Sequence, residues 1–288
     1  MIDQFLATYS TLIATVGINA LLAISVWVTL YAGQLTLGNA AFMGVAAYTS
    51  ALLTLKAGMP FPLVLLAGAV VSAALAVPLG VTVFRLRGVY LAIATIGFGE
   101  VVRVVLLATP ITGKALGLNG IPPKTELWHI GLLLALTAYV LGRVRASTAG
   151  RAWAAIREDE VAAASQGIAV RRYKLAAFVI GAFVAGIAGG LSAHLNFAIE
   201  PGDFGFVKAV QILVFAVVGG IPSVLGPIVG ATLLTALPEL LRPLRDYRDV
   251  IQGAILLFVI VFLPRGLVTI ATLGRTRRLA RIGQLDAA

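Results

Sequence analysis

The sequence predicts an all-α fold: a single polytopic bundle of integral membrane helices with about eight to ten membrane segments, including a broken or re-entrant hairpin near 207–238. Three observations predict it. Of the 288 residues, 60% are hydrophobic and 12% charged; the mean hydropathy is +1.00, and a soluble domain is only roughly half apolar. The apolar residues fall in runs of membrane-crossing length. One longer run is cut by glycine and proline.

A helix crosses about 30 Å of hydrocarbon with roughly 20 apolar residues, at 1.5 Å per residue. Such spans are expected near 12–32, 40–56, 62–84, 88–108, 128–142, 175–196 and 249–263. The first is expected to be retained, because Met1-Ile2-Asp3-Gln4 lacks the basic n-region of a cleaved signal peptide. The stretch 207–238 is too long for one ordinary helix and contains Gly219, Gly220, Pro222, Gly226 and Pro227, so it reads as two short segments. Broken backbone facing lipid would leave N–H and C=O groups unpaired. The hairpin is therefore expected to sit inside protein or to line a cavity.

Twenty-two Lys and Arg against twelve Asp and Glu give a formal charge of +10. In a soluble chain that excess would suggest nucleic acid; here its placement marks orientation, and no nucleic-acid partner is expected. Arg143, Arg145, Arg151, Arg157, Arg171, Arg172 and Lys174 crowd the loop 143–174, and Arg265, Arg275, Arg277, Arg278 and Arg281 crowd the tail. Both read as cytoplasmic by the positive-inside rule, and Arg85 and Arg87 agree. The connections 109–127 and 197–208 then face outside, the latter with Glu200 and Asp203 against Lys208. This parity puts the N-terminus outside and requires the 207–238 region to enter and return.

The cytoplasmic loop is too short for a core of its own, so 1–288 reads as one domain. Ser147-Thr148 offers an N-cap, Ala149, Trp153 and Ile156 share one helical face, and Gly167 offers a C-cap. The result is one short amphipathic helix, or two. It lies either on the lipid headgroups or against a soluble partner, with Trp153 as apolar anchor.

Glu100 and Arg103 stand three residues apart on one helical face inside a span. They either neutralise each other or belong to a transport pathway. Asn19, Gln34, Asn39, His194 and Asn196 read first as interhelical hydrogen-bonding groups, and Gly186 with Gly190 and Gly226 with Gly230 as close-packing pairs. Catalytic signatures fail. Ala108 stands where a phosphate-cradling loop ending at Gly113-Lys114 needs its first glycine, and Val102 where a dinucleotide fingerprint from Gly97 needs its third. With no cysteine and two histidines, no metal cluster is expected.

Several stretches, in order, resemble the LivM-type permeases of the branched-chain amino-acid ABC transporter family. They are Tyr31-Ala32-Gly33-Gln34-Leu35-Thr36-Leu37-Gly38-Asn39-Ala40-Ala41-Phe42, Arg87-Gly88-Val89-Tyr90-Leu91-Ala92-Ile93-Ala94-Thr95 with Gly97-Phe98-Gly99-Glu100, and Gly150-Arg151-Ala152-Trp153-Ala154-Ala155-Ile156-Arg157-Glu158-Asp159-Glu160. Gly167-Ile168, Tyr173-Lys174-Leu175, Gly219-Gly220, Gly226-Pro227-Ile228-Val229-Gly230-Ala231 and Pro264-Arg265-Gly266-Leu267 follow. Two positions depart from the pattern: Asn39 where such permeases often have His, and Pro222 where a glycine usually continues the run. Pro222 should keep 219–223 from becoming helical.

The resemblance implies an inner-membrane transport subunit, not an enzyme. Its expected partners are a second related permease, two cytoplasmic ATP-binding subunits that hold ATP and Mg, and an extracytoplasmic solute-binding protein. It implies that Gly150, Arg151, Trp153, Ile156, Arg157, Glu158, Asp159, Glu160 and Gly167 belong to an ATPase-coupling element, and it leaves Gln34, Asn39, Glu100 and Arg103 as pathway candidates. The cargo would be leucine, isoleucine or valine, or an amide, urea or other small compound. The rival from another class is an ion-coupled secondary transporter or channel using Glu100; a third reading is a non-transporting scaffold.

Overall fold

The computed structural model describes residues 2–86 and 88–240; Arg87, the span expected over 249–263, the Pro264–Leu267 motif and the basic tail lie outside the described residues. Among the described residues, six helices are long and apolar enough to cross a membrane: α1 (Ile2–Tyr31), α2 (Asn39–Ala57), α3 (Phe61–Val83), α4 (Val89–Ala108), α5 (Leu127–Ala146) and α8 (Val170–Asn196). The loop helices α6 (Thr148–Glu158) and α7 (Glu160–Ser165) lie between α5 and α8. Two shorter apolar helices, α9 (Phe206–Gly219) and α10 (Leu225–Leu240), follow.

The first four spans fall where hydropathy places them. Helices α5 and α8 run longer than the expected 128–142 and 175–196, because polar residues at their ends find partners that hydropathy does not see. Arg143 and Arg145 fall in the last turn of α5, where cations oppose the partial negative charge of unpaired carbonyls. At the start of α8, Arg171 donates to the Val81 carbonyl at 3.0 Å and Lys174 pairs with Glu160 at 2.7 Å.

The all-α expectation needs one small correction. Leu118–Asn119 and Ala198–Ile199 form a two-stranded antiparallel ribbon. The connections after α4 and α8 satisfy each other's backbone groups there, in place of water.

Helix α8 is the spine of the bundle and packs against α1, α2 and α3. Small residues permit the approach, as van der Waals packing between membrane helices requires. A Cβ at Gly181 would stand 2.7 Å from the Ser25 carbonyl, one at Gly186 2.7 Å from Ala69 Cα, and one at Gly189 would run into the Met43 backbone. Phe178 fills the remaining space, edge-on to Phe42 and Phe84 at 5.4 Å. His194 is fully buried, bonded to Thr54 Oγ1 at 2.8 Å and to the Gly190 carbonyl at 2.9 Å, and so ties α8 to α2. Helices α1, α2 and α8 are mostly buried, whereas α4 and α5 expose most of their length.

Candidate functional site

The broken hairpin is built as its sequence requires. Helix α9 ends at Gly219, Gly220 adopts φ +102°, and 220–224 is not helical, in agreement with the bar that Pro222 sets there. A Cβ at Gly219, Gly226 or Gly230 would collide with the facing backbone, so the two arms cross in contact, and Pro227 lies in the first turn of α10. The interrupted backbone is held by protein: Trp27 Nε1 donates to the Ile221 carbonyl at 2.6 Å. Lys208 Nζ donates to Asn19 Oδ1 at 3.2 Å, and Asn19 Nδ2 to Thr235 Oγ1 at 3.1 Å. Asn19 and Trp27 are eight residues apart on α1, about 12 Å of rise. Helix α9 thus starts beside Asn19 and runs along α1 toward Trp27, and α10 returns to bring Thr235 back to Asn19.

Next to the hairpin, α1 and α2 are clamped by buried hydroxyls. Asn39 Nδ2 donates to Ser25 Oγ at 2.9 Å, and Thr29 and Thr36 exchange a hydrogen bond at 3.1 Å. Asn39 is buried among these groups, so its role in the fold is that of a clamp. Gln34 is also buried, and neither amide atom has a partner among the described residues, although its backbone N–H reaches the Thr29 carbonyl at 2.9 Å. An unmet buried amide is costly, on the order of 1–3 kcal/mol.

The loop over 143–174 forms two helices. Ser147 is the N-cap residue of α6, as expected, but its hydroxyl turns back to the Val144 carbonyl at 2.6 Å and makes no cap bond to the helix. Gly150 is required at the α5–α6 corner, where a Cβ would run into the Arg145 backbone. Asp159 caps α7 by accepting from Val161 N at 2.8 Å and Ala162 N at 3.0 Å. Gly167, at φ +80°, closes α7; its N–H reaches the Ala164 carbonyl and that of Ile168 reaches Ala163.

The anchor assignment within this loop is also corrected. Trp153 and Ile156 point into the bundle, 3% and 4% exposed, rather than toward a partner. Trp153 packs with Trp27, Tyr31, Leu141 and Ala177, and its Nε1 donates to the Tyr173 carbonyl at 2.9 Å. The apolar face of the amphipathic pattern is satisfied by the chain's own spans. Arg157 lies over the Tyr31 ring at 5.1 Å and its backbone abuts Gly33, while its guanidinium is 3.6 Å from Glu158. What faces outward is Arg151, Glu158, Asp159 and the isopropyl group of Val161, 65% exposed. Sequence reasoning missed Val161; the signal was an apolar residue directly after Glu158-Asp159-Glu160.

Glu100 and Arg103 do meet, Oε2 to Nε at 2.7 Å on α4. The space below Glu100, lined by Leu37, Ala40, Phe204 and Gly205, is about 10 Å³. That holds no amino acid. A larger groove of about 400 Å³ between α3, α5 and α8 is lined by Phe61, Leu65, Trp128 and Leu132 and is almost wholly apolar, so it offers nothing to an ammonium or a carboxylate.

The geometry so far is that of a membrane bundle with a clamped hairpin and a loop fixed rigidly to it. A profile of the family described as branched-chain amino acid transport system / permease component matches residues 8–260. The chain is 35% identical to the high-affinity branched-chain amino acid transport system permease protein LivM of Salmonella typhimurium, over 92% of this chain and 69% of that protein. It is 34% identical to LivM of Escherichia coli over the same shares. It is 34% identical to the permease protein LivH of Salmonella typhimurium, over 50% of this chain and 46% of that one. No solved structure matches. With motifs, spans and relatives in agreement along nearly its whole length, the chain belongs to the family of branched-chain amino acid transport system permease components.

Proposed function

We propose that this chain is the membrane permease subunit of an ABC importer for branched-chain or closely related small amino acids in the cytoplasmic membrane. The observation that carries this reading is the identity of 35% to LivM over 92% of the chain. A second related permease completes the pore, two cytoplasmic subunits bind ATP and Mg, and an extracytoplasmic binding protein delivers the cargo. The failed nucleotide motifs and the small space below Glu100 support a division in which separate subunits hold ATP and the cargo passes between subunits.

Coupling runs through the α6–α7 loop. A partner shifts an alternating-access equilibrium only by contacting the two states differently. The outward groups Arg151, Glu158, Asp159 and Val161 supply the contact. Trp153, clustered with Trp27 and Tyr31, and Arg157, over the Tyr31 ring and against Gly33, transmit it to α1 and, through the Trp27–Ile221 bond, to the hairpin tip. Pairing of Glu100 with Arg103 argues against the ion-coupled rival, which needs a carboxylate free to exchange its proton.

The test is purification of the tagged chain from its native membrane. The reading expects ATP-binding subunits and a second permease in the isolated complex. Recovery of the chain without them, with gradient-driven uptake intact, would refute it.

A further inference from the structure

Helix α4 carries an outward stripe that no other described residue covers. Tyr90, Ile93, Gly97, Val101, Val104 and Ala108 succeed one another at steps of three and four residues and all are exposed. Gly97 sits at its centre, and a Cβ there would meet nothing within 4 Å, so the stripe has a notch that could accept another helix.

Beside the stripe, on the side toward Gly205, lies the Glu100–Arg103 pair. Glu100 is 11 residues after Val89 and 8 before Ala108, about 16 Å and 12 Å from the two ends, which places it near mid-bilayer. The two side chains are 39% and 34% exposed, and their mutual bond uses one N–H of the guanidinium. The remaining guanidinium donors and Glu100 Oε1 have no hydrogen-bond partner among the described residues. Unmet ionised groups at that depth do not face lipid tails; they face protein or enclosed water. A soluble partner does not reach mid-bilayer. Helix α5 is the contrast, with Leu132, Leu136, Tyr139 and Val140 outward and its basic residues confined to the last turn.

We infer that the outward stripe of α4 is the surface on which a second, non-identical permease of this family packs, with Glu100 and Arg103 at the seam. This rests on the transport reading above. The choice of partner comes from the relatives: two different permeases of one organism, LivM and LivH of Salmonella typhimurium, both resemble this chain. Two homologous bundles meet most simply about a pseudo-two-fold axis, each offering the corresponding face. The seam is then lined by Glu100, Arg103 and the start of α9, and the polar partners missing among the described residues come from the other subunit and from water held between them.

The experiment places a photo-activatable phenylalanine analogue singly at Ile93, Val101 or Val104 of the full chain, and at Leu132 or Leu136 as comparison, in native membranes. Adducts are identified by mass spectrometry. The expected result is a second family permease on the α4 positions and lipid on the α5 positions. Lipid adducts or copies of this chain on α4, or the permease captured from α5, would overturn the assignment. Independently, Gly97→Leu should lower recovery of the second permease with the tagged chain at least tenfold, while elution volume and melting temperature of the isolated chain stay unchanged; unchanged recovery contradicts the inference. If α4 captures lipid while ATP-driven uptake and ATPase co-purification persist, the transport reading stands and the face is wrong. Absence of any family permease from a purified complex overturns both.

Discussion

Trp153 Nε1 donates to the Tyr173 carbonyl at 2.9 Å, which joins the loop helix α6 to the first turns of α8 across twenty residues of sequence. Both partners pack on the C-terminal third of α1, around Trp27 and Tyr31. The loop is therefore bolted to the bundle and moves with it. Trp153→Ala should destabilise the detergent-solubilised chain by about 3–5 kcal/mol, the range for removing a buried large aromatic. Trp153→Phe, which keeps most of the packing, should cost about 0.5–1.5 kcal/mol through the lost second hydrogen bond to the Tyr173 carbonyl. Thermal unfolding followed by size-exclusion fluorescence measures both.

Val161 should behave in the opposite way. Its side chain is 65% exposed and packs on nothing in the bundle, so Val161→Asp should leave the melting temperature unchanged. ATPase co-purification and uptake should fall at least tenfold, a loss of about 1.4 kcal/mol or more in association. If Val161→Asp spares both, the docking surface lies elsewhere.

The spans and the broken hairpin were legible in the sequence because apolar run length and the Gly219-Gly220-Ile221-Pro222 break are local signals. The direction in which Trp153 points was not. An amphipathic pattern identifies an apolar face without saying whether that face meets the chain's own spans or a partner, and the Tyr31, Gly33 and Tyr173 contacts that settle it come from distant segments. Asn39 and Ser25 are likewise fourteen residues apart, and nothing local reveals that they bond. Glu100 and Arg103 were readable as a pair because a separation of three on a helix brings side chains together; their unmet donors needed coordinates.

The hairpin tip depends on one hydrogen bond from outside it. Trp27→Phe removes the donor to the Ile221 carbonyl and keeps the ring stacked on Tyr31, 5.1 Å away. Amide exchange across 219–225 should accelerate by roughly fivefold to more than a hundredfold, the equivalent of about 1–3 kcal/mol for a carbonyl left unpaired. Exchange in α3 should not change. Equal acceleration in both would mean that Trp27 supports the whole bundle and not the tip.

Close packing on α8 makes a further distinction. Gly186→Leu would drive a side chain into Ala69 and Ser72 of α3, where even a Cβ stands 2.7 Å from backbone. A cost of about 1–3 kcal/mol or more is expected from overpacking. Gly131→Leu, at an open position of α5, should be neutral. Melting temperatures of the two purified variants provide the comparison.

For the ion pair, Glu100→Gln leaves the Arg103 guanidinium without its anion at mid-span, whereas Glu100→Gln combined with Arg103→Gln removes both charges. The double variant should be better expressed and more stable than the single one, because an uncompensated charge is worse than none. Yield and melting temperature in the same detergent decide this; a single variant that outperforms the double contradicts the pairing.

The central claim is that this chain conducts amino acids only when driven by separate ATPases. Uptake of radiolabelled leucine, isoleucine and valine into proteoliposomes tests it most directly, comparing the complete co-purified complex with this chain alone. The expected result is accumulation that requires ATP on the cytoplasmic side, the ATP-binding subunits and the binding protein, with none by the chain alone under a proton or sodium gradient. Gradient-driven uptake by the chain alone, abolished by Glu100→Gln in a normally folded protein, would contradict the account.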